Sequence, residues 1–196
     1  MKKTGLFAAA LAVCIFLCLP GRAFAAQWED FTDVHGHWAE ETLRNAYEDG
    51  LVTGMSDTEL SPDSPITIAQ MITVLTRVLG ATEKADISAL NLPEETWYAE
   101  AAALALKLGL ISAETGELDR AMPRQDALSM TAKAFALTPA EPRLSVLDPF
   151  SDTGSLKAEN RKPMAALIES GLVQGFAGSL NADGNISRAE FVTVLY

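Results

Sequence analysis

Apolar positions recur at helical spacing along the chain, and they recur in pairs of segments separated by loops. In the first pair Trp38, Leu43, Ala46, Tyr47 and Leu51 lie on one face, and Met71, Ile72, Leu75, Val78 and Leu79 form the broad face of the second segment. Gly50 supplies a helix stop, and Thr67 is a fair N-cap for the second helix. Asp33 stands ahead of the first run, where a carboxylate is expected to take up free amides at the helix start. An Ala-rich segment (Ala99, Ala101, Ala102, Ala103, Ala105) then predicts a helix that packs closely. Arg124–Leu137 follows, with Leu128, Ala132 and Phe135 on one side. The last pair carries Met164, Leu167, Ile168 and Leu172, then Phe191, Val194 and Leu195. Pro163 predicts that the fifth helix begins near Lys162 or kinks there.

The segments keep register. Gly50, Gly109 and Gly171 are each followed by Leu and then Val or Ile, and Gly54 and Gly175 stand four residues beyond their glycines. Leu60, Leu118 and Leu180 mark the loops, and Ile66, Met122 and Ile186 precede the second segments. This register divides the chain into units over 27–80, 92–137 and 148–196. The connectors between them include one rich in proline (Pro139 and Pro142, with Pro149 just beyond it) that is expected to be extended. Helix pairs that cannot bury their faces alone are expected to join in one all-α domain.

Residues 1–25 read as a signal peptide rather than as part of the fold. Lys2 and Lys3 precede the apolar stretch Leu6–Leu19, and Ala23-Phe24-Ala25 suits cleavage after Ala25. The stretch is short for a membrane span. Both cysteines, Cys14 and Cys18, fall inside it, so the expected mature chain has neither a disulfide nor a thiol nucleophile. Removing Lys2, Lys3 and Arg22 takes three positive charges from a net charge of -11, leaving -14. So acidic a chain is a poor partner for nucleic acid or anionic lipid. The C-terminal residues Phe191–Tyr196 lie inside an apolar helical pattern, which is expected to be either a short helix or a truncated one.

These motifs resemble those of the S-layer homology family, as three tandem repeats. Phe31-Thr32-Asp33-Val34, His37-Trp38-Ala39, Gly50-Leu51-Val52-Thr53-Gly54, Leu60-Ser61-Pro62 and Ile66-Thr67 carry the likeness in the first unit. Trp97-Tyr98-Ala99 and Gly109-Leu110-Ile111 carry it in the second. Phe150-Ser151-Asp152, Gly171-Leu172-Val173-Gln174-Gly175-Phe176 and Ile186-Ser187-Arg188-Ala189-Glu190-Phe191 carry it in the third. The resemblance implies three helix-loop-helix repeats packed as a pseudo-threefold domain. It also implies non-covalent attachment to cell-wall polysaccharide, often pyruvylated, at the cell surface. By position it transfers binding roles to Arg188 with Glu190, to Arg124, to Trp97 and Trp38, and to Asp33, Gly54 and Gly175. An alternative is a structural or protein-interaction module whose partner is another envelope protein.

The departures from the motif distribute these roles unevenly. Thr67-Ile68-Ala69-Gln70 lacks both the arginine and the glutamate, and Glu159 stands where the third tryptophan is expected. Phe31–Gly80 is therefore the template for the fold but a poor place for the ligand, and the segment around Arg188 is the better one. An arginine at a helix N-terminus suits a carboxylate. The plainer account of Arg188 is an internal pair with Glu190 or another acid. The plainer account of Trp38 and Trp97 is burial in the core at helix starts, with sugar stacking as the functional one.

Ser179–Glu190 has partial calcium-loop spacing through Asn181, Asp183, Gly184, Ile186 and Glu190, but Ser179 holds the first position. The repeat explains the same residues, so no metal site and no cofactor is assigned. His35 and His37 alternate without a third ligand nearby and read as a polar entry to the first helix. With these two histidines and no cysteine in the expected mature chain, nothing marks an enzyme.

Overall fold

The computed structural model describes residues 26–93 and 95–196; the expected signal peptide lies outside them. Within these described residues six α-helices run in order: α1 (Glu40–Glu48), α2 (Ile68–Val78), α3 (Ala99–Lys107), α4 (Arg124–Ala134), α5 (Ala158–Glu169) and α6 (Arg188–Leu195). Among the described residues there are no β-strands, only isolated bridges.

Local sequence explains most of the helix ends. Thr67 and Ser187 cap α2 and α6 by accepting from the backbone N–H groups of Gln70 and Glu190, whose side chains accept from the cap amides in return. Helix α1 ends in a two-bond reversal, with Gly50 N donating to Tyr47 O and Leu51 N donating to Ala46 O. The same pair of bonds ends α3, at Gly109 and Leu110, and α5, at Gly171 and Leu172. It also ends α4, where the left-handed position is held by Ala136 (φ 52°).

Helix α5 begins at Ala158, upstream of the expected start near Lys162, with Pro163 in its interior. Tertiary hydrogen bonds hold the turn ahead of the proline. Lys157 N and Asn160 Nδ2 both donate to Gln125 Oε1, at 2.9 and 3.1 Å, and Asn160 Nδ2 also donates to Asp126 Oδ1. The proline-rich connector is not wholly extended either. Leu144–Leu147 forms a short 3-10 turn that buries Leu147.

The three helix pairs close into a ring. The second helix of each pair packs on the first helix of the next: α2 on α3, α4 on α5, and α6 back on α1. At the centre, three backbone bonds run in a cycle: Ile66 N donates to Ile186 O, Ile186 N to Met122 O, and Met122 N to Ile66 O. Around that cycle, the free amides at each second-helix start bond to the loop of the next pair. Ile68 and Ala69 donate to Arg120 and Leu118, Gln125 donates to Ala182, and Arg188 and Ala189 donate to Ser64 and Pro62. Helix starts that would otherwise need water are thus satisfied by neighbouring loops. This pattern is a pseudo-threefold arrangement of helix-loop-helix pairs.

Burial follows the same plan. Phe31, Leu43, Leu60, Ile66, Ile72, Leu128, Met164 and Phe191 are almost wholly enclosed. Ala101, Ala102, Ala103 and Ala105 of α3 are buried, and α3 packs on α2. Trp28, Phe31 and Tyr47 form an edge-to-face and tilted aromatic cluster with centroids 5.2–6.1 Å apart. The tryptophan in the core is therefore Trp28. Among the described residues no helix is long and apolar enough to cross a membrane.

Candidate functional site

The two motif tryptophans are on the surface. Trp38 is 64 % and Trp97 63 % exposed, so core burial is not their role. Each precedes its helix by two residues, where the chain turns into α1 or α3 and projects the indole outward.

Trp97 borders a groove of about 420 Å³ at the mouth of the α2/α3 interface. Its wall is built from the first pair: Thr53, Gly54 and Met55 from the loop, Thr67 and Gln70 from the start of α2. Asp119 joins from the second pair and Arg188 from the third. A smaller hollow of about 130 Å³ continues along α2 between Gln70 and Arg77, again against Trp97 and Arg188. Of the residues expected to bind, the fold brings Trp97, Arg188 and Gly54 together here. The first pair, a poor place for the ligand by its motif alone, supplies most of this groove, because the arginine arrives from another pair.

Arg188 is only 8 % exposed. Its Nε donates to Leu60 O and its Nη2 to Thr53 O, both at 3.0 Å. Burial lowers the guanidinium's hold on its proton, and the carboxylate of Asp33 opposes that effect. The pairing with Glu190 does not form. Glu190 Oε2 accepts from Ser187 N at 2.8 Å, and its Oε1 lies 2.9 Å from Nη1 of Arg124 instead. Arg124 and Glu190 are thus occupied with each other, away from the Trp97 groove.

Asp33 does not cap α1. Its two oxygens accept from Leu60 N (3.0 Å) and Ser61 N (2.7 Å), so it fastens the loop that follows. The Leu60 peptide is gripped on both sides, its N–H by Asp33 and its C=O by Arg188. Asp152 does the same work in the third pair, accepting from Leu180 N (2.8 Å), Ala182 N (3.2 Å) and the Ser179 hydroxyl (2.9 Å). Burial alone would raise its carboxyl pKa, but these donors outweigh burial and hold it below the ordinary value. The start of α1 is arranged by His37, whose Nδ1 accepts from Ala39 N while its Nε2 meets Asp63 at 3.1 Å, and by His35 beside Glu40.

Gly54 and Gly175 are close-approach positions. A Cβ on Gly54 would lie 2.6 Å from the Phe31 ring, and one on Gly175 would lie 2.6 Å from the Phe150 ring. The motif phenylalanine and the motif glycine are therefore one packing unit.

Glu190, Asp183 and Ser179 of the partial calcium loop are all engaged by protein groups: Ser187 and Arg124, Gln125, and Asp152 respectively. Among the described residues no three acidic, histidine or cysteine side chains gather to hold a metal.

Gln70, Asp119 and Met55 were not expected to border the site. Asp119 Oδ2 accepts from the Tyr98 hydroxyl at 2.9 Å, and burial first, then this carboxylate, push that phenol's pKa up. The repeat register held a signal for Gln70, which aligns with Glu190. The groove thus offers a stacking surface, a carboxylate acceptor and a buried cation within one opening. That combination suits a sugar bearing hydroxyls and an acidic substituent.

The sequence comparisons agree with this architecture in part. Residues 30–72 and 149–192 match the model of the S-layer homology domain family. These segments belong to the first and third helix pairs, and the middle pair lies between them. An amylopullulanase from Thermoanaerobacterium thermosulfurigenes is 25% identical over 171 residues, covering 85% of this chain and 9% of that protein. An exoglucanase XynX from Acetivibrio thermocellus is 22% identical over 171 residues, covering 85% of this chain and 16% of that protein. An endo-1,4-beta-xylanase A from Thermoanaerobacterium saccharolyticum is 29% identical over 87 residues, 43% of this chain and 7% of that protein. The chain thus spans less than a fifth of the length of these curated relatives.

Proposed function

We propose that this chain is a non-catalytic cell-envelope attachment module that binds wall polysaccharide non-covalently, with the α2/α3 groove as its site. The observation that carries this reading is the convergence of Trp97, Asp119 and Arg188, from two different helix pairs, on a groove walled by a third. Trp97 stacks on a sugar face, Asp119 accepts from sugar hydroxyls, and Arg188 favours a carboxylate such as a pyruvyl ketal. The matches to the S-layer homology model support the attachment role. The named relatives are polysaccharide-degrading enzymes, and the small share of each that this chain covers fits an accessory module rather than their catalytic part. In this reading the protein acts at the cell surface after secretion, without a cofactor.

The test is co-sedimentation with wall sacculi before and after the secondary polymer is stripped. Binding that disappears on stripping, and falls at least tenfold in Trp97→Ala, is the expected result. Equal recovery on both preparations, or none on either, sinks the proposal.

A further inference from the structure

Arg124 and Arg188 hold equivalent places, each as the first residue of a second helix reaching toward the next pair, yet they take different partners. Arg124 Nη1 lies 2.9 Å from Glu190 Oε1, in a charge contact that leaves its Nε and Nη1 buried without an aligned hydrogen bond. Arg188 bonds instead to the carbonyls of Leu60 and Thr53 and forms no ion pair among the described residues.

The residue three positions into the facing helix explains the difference. Glu190 closes the cap of α6 with Oε2, which leaves Oε1 free for Arg124. Gln70 closes the cap of α2 in the same way, its Oε1 accepting from Thr67 N at 3.1 Å. Its other end is an amide nitrogen, which donates toward Met55 Sδ at 3.2 Å. A donor thus stands where the other groove has an acceptor, and two donors cannot pair. Arg188 therefore forms no ion pair at the α2/α3 groove, and the Asp33 carboxylate acts on it only through space.

We propose that this position is an anion selector: Gln70 leaves Arg188 open to a carboxylate-bearing ligand, whereas Glu190 closes the equivalent Arg124 by internal pairing. The proposal rests on the reading of the α2/α3 groove as the ligand site, and it adds the residue that decides which groove accepts an acidic sugar. The loss of the motif glutamate from the first pair is then a gain for the site, because the arginine it would neutralise comes from the third pair.

The test uses Gln70→Glu and Glu190→Gln in the full chain. Both exchanges keep a side chain that closes the cap, as Gln70 and Glu190 themselves show, so the helix starts are preserved, and circular dichroism of each variant checks the fold. The first measurement is the NMR signal of each arginine Nε–H, assigned with R124K and R188K. Q70E is expected to move the Arg188 signal and E190Q the Arg124 signal. In the wild type, sodium malonate is expected to shift Arg188 and leave Arg124 unmoved; in Q70E the Arg188 response disappears. An Arg188 signal indifferent to Q70E, or to malonate in the wild type, overturns the proposal.

The second measurement is affinity for sacculi that retain their polymer. It is expected to fall about tenfold or more in Q70E, the loss of a charge-assisted contact. Undiminished binding by Q70E, with the wild type still dependent on the polymer, also overturns the selector. Wild-type recovery that ignores the polymer defeats the attachment reading instead, and the malonate titration then decides the selector by itself.

Discussion

Arg188→Ala tests how far one side chain joins two helix pairs. The guanidinium makes two 3.0 Å bonds to the carbonyls of Leu60 and Thr53, across a sequence separation of more than a hundred residues. Hydrogen bonds from a charged donor contribute about 1.5–3 kcal/mol each. Removing the buried charge recovers part of the cost of taking it out of water. The two bonds share one anchor and do not add fully. The expected net loss is about 3 kcal/mol, with the stem's packing included. For a chain of this size each kcal/mol lowers Tm by about 2–4 °C, so the variant should melt about 6–12 °C lower. Urea unfolding followed by circular dichroism gives the free energy, and calorimetry gives Tm. An unfolding midpoint indistinguishable from wild type would refute the reasoning, because Arg188 would then be a ligand group that the fold does not use. Binding by this variant has to be measured well below its own melting temperature, so that lost structure is not read as lost contact.

Gly54→Ala forces a Cβ against the Phe31 ring and is expected to cost about 2 kcal/mol in chemical denaturation. Gly175→Ala meets the Phe150 ring at φ +68°, so it should cost about 1 kcal/mol more; the reverse order would show that the left-handed backbone is not the added burden. Ala136→Gly relieves the non-glycine residue that ends α4 at φ 52° and should raise stability by about 1 kcal/mol, read as a higher urea midpoint. Asp152 titrates below its ordinary 3.8 in the folded chain. Its contribution is therefore complete above that value and fades as pH falls through the lowered one. Asp152→Asn should be less stable at neutral pH and should flatten the acid limb of the stability curve below about pH 4; an unchanged acid limb would show that other carboxylates set it.

The sequence by itself determined the helices and their order, and some of their ends. These features depend on contacts within a few residues, such as the Thr67 cap, the Gly50 stop and the apolar face of α2, and local spacing reports them directly. The same register showed that three pairs share one plan, although only the first and third keep enough of the motif to match the family model. The start of α5 was not legible, because the bonds that hold it ahead of Pro163 come from Gln125 and Asp126 more than thirty residues away.

The placement of the candidate site residues was decided by the ring closure. Trp38 and Trp97 face solvent because the close packing that seals the core is supplied by Trp28, Phe31 and small alanines instead. Asp33 fastens a loop rather than a helix because Leu60 and Ser61 present their amides to it once the loop folds back. Arg188 borders a groove of the first pair because α6 docks its N-terminus on the first pair's loop, in the cycle that joins all three. A motif read one unit at a time assigns each arginine to its own repeat. In the folded ring each second helix meets the next pair, so the Trp97 groove is composite and its charge is set by residues far apart in the chain.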